Sequence, residues 1–153
     1  MTKSIQCREN LKVLIDHHPF HESINKNLLK DLSTKFPATR TIVNANDKSE
    51  TNIKALQTFN DIESKEISLI CDWVSKIISG QKKWESEFVI RDKWIAIYQN
   101  GDYTIPHTHS PSIYAFVYFI RCSKNSSPLI FTTSGKKIKA EEGKVVIFPA
   151  NLL

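Results

Sequence analysis

Tyr98-Gln-Asn-Gly-Asp-Tyr-Thr-Ile-Pro-His-Thr-His109 reads as a strand, a turn at Asn100-Gly101, and a second strand carrying two imidazoles one residue apart. Side chains at i and i+2 of a strand point to the same face, so His107 and His109 can converge on one point. Neutral imidazole is a common ligand for iron, zinc and copper, and two on one strand face need little reorganisation to share an ion. Pro106 removes a backbone donor and biases Ile105 towards an extended conformation, which suits a strand bordering a cavity. On the residues alone, the pair is either the start of a metal site or two surface imidazoles at a strand end.

The turn signals and short apolar runs continue on both sides of this stretch. Phe88-Val-Ile90 and Trp94 to Tyr98 read as strands before it, joined by a turn at Arg91-Asp-Lys93. Ile113 to Ile120, Pro128 to Thr132, Lys136 to Ile138 and Lys144 to Phe148 read as strands after it. Short strands punctuated by Gly, Asn, Ser and Pro argue for an antiparallel sandwich or barrel. Upstream, Lys12-Val-Leu-Ile15 is a short strand, and Ile24 to Phe36 is a helix ended by Pro37. Thr39 to Ser49 is a polar loop or a weak strand at Thr41-Ile-Val43. Asp61 to Ser79 is the clearest helix: Ile62, Ile67, Ile70, Trp73, Val74, Ile77 and Ile78 recur at helical spacing. Asn60 or Asp61 is expected to cap it, and Gly80 to stop it. Helices first and strands later place the chain in the α+β class. Residues 1–86 form an α/β lead-in with a supporting helix, and 87–153 the β core, within one domain.

Composition limits the partners. The chain has 153 residues, 41% of them apolar, enough for one domain with its own core. The net charge is +5, but the lysines are scattered and no nucleic-acid-binding motif accompanies them, so a nucleic-acid partner is not expected. Three widely spaced cysteines and a polar start, Met1-Thr-Lys-Ser, fit a reducing cytoplasm. No apolar run reaches the roughly 18 residues of a membrane span. A second histidine cluster, His17-His18-Pro-Phe-His21, lies in the lead-in and is expected to sit well away from the barrel strands. Glu141-Glu142-Gly143 reads as a solvated hairpin.

The order Tyr-x-x-Gly-Asp-x-x-x-Pro-His-x-His, Val-Tyr-Phe-Ile, Pro-Leu-Ile-Phe and Gly-Lys-Val-Val-Ile-Phe-Pro resembles the iron(II)- and 2-oxoglutarate-dependent oxygenases. The resemblance is to the prolyl-4-hydroxylase-like group, including oxygenases common in phage genomes, and covers about Trp94 to Leu153. It implies a double-stranded β-helix, a jelly-roll with a cupin-like open mouth, supported by N-terminal helices. His107 fits the first ligand position, and His109 stands where a carboxylate is usual. By the same resemblance Tyr98 and Tyr118 could each donate a hydrogen bond to a 2-oxoglutarate carboxylate. The implied reaction hydroxylates a protein side chain or a small molecule.

In that family a distal histidine and then a 2-oxoglutarate-anchoring arginine follow the Phe-Pro strand, where this sequence reads Phe148-Pro-Ala-Asn-Leu-Leu153. The expectation is therefore a domain cut short, its last strands missing and a sheet edge open to pairing with another chain. The alternatives are a non-catalytic β-sandwich binding or phage assembly module that keeps the scaffold, and a cupin-like protein with another metal.

Overall fold

The computed structural model describes residues 2–8, 11–41, 52–81 and 88–153. In chain order the elements are β1 (Lys3–Arg8), β2 (Leu11–His17), α1 (His21–Thr34), β3 (Ala38–Arg40), β4 (Ile53–Lys54), β5 (Leu56–Thr58) and α2 (Lys65–Gln81). There follow β6 (Ala96–Ile97), β7 (Tyr103–Thr104), β8 (Tyr114–Tyr118), β9 (Leu129–Phe131), β10 (Lys136–Ile138) and β11 (Lys144–Pro149). The protein is α+β: the described residues form two helices and several antiparallel sheets that do not close into a barrel. No helix among the described residues is long and apolar enough to cross a membrane.

The principal sheet has the order β1-β2-β11-β8, antiparallel throughout. Its centre is β11, where Val145, Val146, Ile147 and Phe148 are all buried because both faces are covered. Alternation then sorts the side chains into two cores. Val145 and Ile147 join Leu14 of β2 and the apolar stripes of α1 and α2, including Leu28, Ile70 and Val74. Val146 and Phe148 join Val13 beneath the β9-β10 hairpin, which contributes Phe131 and Ile138. Phe131 and Phe148 meet edge to face, ring centroids 5.2 Å apart. A smaller sheet, β3-β5-β6, and the pair β4-β7 lie on the chain segments that lead into the two histidines.

Several sequence expectations shift. The supposed lead-in supplies β1 and β2 to the principal sheet, with Leu14 opposite Ile147 and His17 opposite Lys144. The segment Lys3–Arg8 was not legible as a strand because β1 pairs on one side only and carries the polar residues typical of an edge. Helix α2 begins at Lys65, not Asp61: Asp61 has φ 62°, which a helix cannot use, and Ser64 Oγ accepts the Ile67 N–H at 3.2 Å as the cap. Gly80 lies inside that helix and does not stop it. Phe88 to Ile90 is not a strand; Phe88 and Ile90 pack against the helix-side core without joining a ladder. The weak strand expected at Thr41 to Val43 falls, beyond Thr41, outside the described residues, whereas Ala38–Arg40 pairs with Leu56–Thr58.

The histidine cluster at 17–21 is not remote from the strands. His18 N–H donates to Gly143 O at 2.9 Å, and His17 Nε2 lies 3.3 Å from Glu141 Oε2. The same Glu141 oxygen takes the buried Lys144 ammonium at 3.0 Å. The turn at 141–144 is therefore a docking point for the corner between β2 and α1, not a free hairpin. Gly143, at φ 78°, is required there twice over: a Cβ would stand 2.3 Å from the His21 ring.

Candidate metal centre

His107 and His109 are brought together. The strand expected over Tyr103 to His109 makes ladder bonds only at Tyr103–Thr104; Pro106 has no N–H to give, and from Ile105 to His109 the chain joins no ladder among the described residues. The alternation survives: His107 and His109 are half-buried while Thr108 between them is exposed. Their ring centroids are 4.7 Å apart at a tilt of 58°.

Each ring is held from a different side. His107 Nδ1 lies 2.7 Å from Ile105 O, and a carbonyl can only accept, so Nδ1 carries the proton and Nε2 has its lone pair available. His109 N–H donates to Ala150 O at 2.7 Å, which ties this segment to the end of β11, and its ring meets Phe148 edge on at 5.9 Å. Burial, and then the neighbouring His107, lowers the His109 pKa and favours the neutral imidazole. Two imidazoles on one face are a suitable donor pair for a borderline divalent ion. Among the described residues no group of three His, Cys, Asp or Glu side chains gathers there or elsewhere.

The turn that precedes the histidines is gripped by side chains the sequence did not single out. Gly101 takes φ 84°, and Asp102 folds back so that its Oδ2 accepts the Gln99 N–H at 2.8 Å. Arg40, from the end of β3, donates Nη1 to Asp102 Oδ2 at 2.9 Å and Nη2 to Oδ1, a two-point grip on a carboxylate that is wholly covered. The Gln99 N–H and then the guanidinium hold the Asp102 carboxyl below the usual carboxylate range. Lys54 lies 5.6 Å over the Tyr103 ring, and Ile105 N–H donates to Asn52 O at 2.8 Å. Asp102 was legible as a turn residue, but its partner lies 62 positions away and nothing local announces it.

The two tyrosines are placed differently. Tyr98 is half-exposed before the turn, its hydroxyl 2.5 Å from Thr104 Oγ1. Tyr118 lies with the helix-side core, opposite to the face on which His109 meets Phe148. Its hydroxyl donates to Asn25 Oδ1 at 2.8 Å, and burial pushes its pKa up to about 12. Asn25 in turn donates to Ile120 O at 2.7 Å. The structure thus assigns Tyr118 a bridge between β8 and α1 and does not bring it to the histidines.

No family model, no characterised protein and no solved structure matches this chain.

Proposed function

We propose that the protein is an iron(II)- and 2-oxoglutarate-dependent dioxygenase that hydroxylates a protein side chain or a small molecule. The observation that carries this reading is the His107–His109 pair, same-faced, 4.7 Å between rings, with His107 Nδ1 committed to Ile105 O. The pair would supply two positions of a facial ligand set, and water and the cosubstrate would take others. The two-layer packing of the β9-β10 hairpin on β11 is what one side of a double-stranded β-helix would provide.

Bound iron would couple the conversion of 2-oxoglutarate and dioxygen into succinate and carbon dioxide to the insertion of one oxygen atom into a substrate C–H bond. The chain's own part is to present His107 through Nε2, to keep His109 neutral against Phe148, and to exclude water from the inner side of the pair with the core around Phe148 and Phe131. A second reading, a non-catalytic binding module on the same scaffold, is favoured by the engagement of Tyr118 with Asn25.

The deciding experiment is succinate release from 2-oxoglutarate under iron(II) and air, comparing wild type with His107→Ala and His109→Ala. The dioxygenase reading expects turnover in wild type and a loss of at least about 10-fold in either variant, the scale on which metal-site residues act. Turnover that is equal in all three, or absent in wild type while the protein is folded, favours the binding module.

A further inference from the structure

We infer that Arg40 and Asp102 are positioning residues for His107: the clamp they form fixes the peptide of Ile105, whose carbonyl selects the imidazole nitrogen offered to a metal. This inference rests on the metal-site reading above and adds to it the device that sets the ligand.

The steps are contiguous along the backbone. Arg40 closes on both oxygens of Asp102, and Asp102 closes the turn by accepting the Gln99 N–H while its own N–H donates to Gln99 O at 3.0 Å. The turn delivers Tyr103 and Thr104 in register with Lys54 and Ile53. Ile53 is itself fixed, since Thr41 Oγ1 donates to its carbonyl at 2.5 Å. One residue further, the Ile105 N–H is taken by Asn52 O, and the Ile105 carbonyl takes the His107 Nδ1–H. Every link from Arg40 to the His107 ring is a hydrogen bond or a peptide unit.

The chemistry gives this relay a purpose. A ligating imidazole coordinates through one nitrogen, and the group hydrogen-bonded to the other nitrogen decides which one is free. His107 is half-exposed outside any strand, and its one ring contact, with His109 at 4.7 Å, does not choose between its two nitrogens. Pro106 limits the segment to extended geometry but does not fix where the Ile105 carbonyl points. The grip on both ends of the turn does. Without Arg40, the covered Asp102 carboxylate loses its two-point partner and the turn can rotate at Gly101.

The test uses the full chain and two readouts. Cobalt(II) titration gives affinity and, from its visible bands, coordination geometry; nitrogen-15 shifts of the His107 ring give the tautomer without metal. Wild type is expected to bind cobalt(II) with His107 in the Nδ1–H form. Arg40→Ala should bind about 10-fold more weakly, with altered visible bands and a mixture of His107 tautomers. Arg40→Lys keeps the charge but loses the fork and should fall between the two. If Arg40→Ala matches wild type in affinity, bands and tautomer, the positioning role is overturned while the metal site stands. If wild type binds no cobalt(II), the metal reading falls, and the tautomer comparison alone still decides the clamp. Circular dichroism on each variant separates a loosened turn from an unfolded protein, and Arg40→Lys, the milder change, carries the test if Arg40→Ala unfolds.

Discussion

His18 is among the few polar side chains in the buried class, and its surroundings demand the neutral ring. Its Nδ1 accepts the Phe20 N–H at 3.1 Å, which an imidazolium could not do, and its ring meets Trp73 edge on at 4.7 Å. Burial, then His21, lowers its pKa from 6.5. The folded state therefore binds fewer protons than the unfolded chain between that lowered value and 6.5. The stabilisation from His18 is complete above about pH 6.5 and is lost as pH falls through the folded value. The titratable groups nearby are His17, His21 and Glu22 on its own segment and Glu141, Glu142 and Lys144 on the turn it docks against; α2 presents Trp73 to it. His18→Asn, whose Oδ1 can replace Nδ1 as acceptor, should flatten the dependence of thermal midpoint on pH between 7 and 5. An unchanged slope would assign the acid sensitivity to another group.

At the scale of elements, α1 is fastened to the sheet by polar contacts as well as by Leu28 and Ile24. Asn25 spans from the Tyr118 hydroxyl to the Ile120 carbonyl, both at the end of β8. Asn25→Ala leaves that partly buried carbonyl and hydroxyl short of partners, at a cost of about 1 kcal/mol or somewhat more. Tyr118→Phe should cost less, and the double variant less than the sum of the two, since both remove one shared contact. Urea unfolding of the four proteins measures the coupling, and strict additivity would show that the bridge contributes nothing. Elements with strong local signals were readable from the sequence. The apolar stripe of α2 and the run Val145 to Phe148 came out as a helix and a strand because their periodicity is set by burial alone. The same-face placement of His107 and His109 was readable too, since it follows from the period of an extended chain. What escaped were features made by distant partners: β1, visible only beside β2; the docking of His17 on Glu141; the Arg40 grip on Asp102; and the orientation of Tyr118, whose side of the sheet depends on the register of β8 with β11. The tyrosine carried a family-based expectation, and only this register shows which side of the sheet it takes.

At the scale of the molecule, β2 lies between β1 and β11, so a strand near the start of the sequence forms half of the bed for one near its end. Residues 87–153 by themselves would leave β11 without β2 along one side and expose Val146 and Ile147 to water. There is also a consequence in time. The helices can form from neighbours in sequence, but the central ladder joins Leu14 to Ile147, and closing so long a loop is entropically slow. During synthesis, β2 must wait for β11, with Val13 uncovered, until almost the whole described chain has been made. Pulse-labelled hydrogen exchange during refolding should find amides of α2 protected before those of β11; simultaneous protection would mean that the long-range ladder forms with the helices. Until β11 arrives, that side of β2 carries backbone donors and acceptors with no strand beside them.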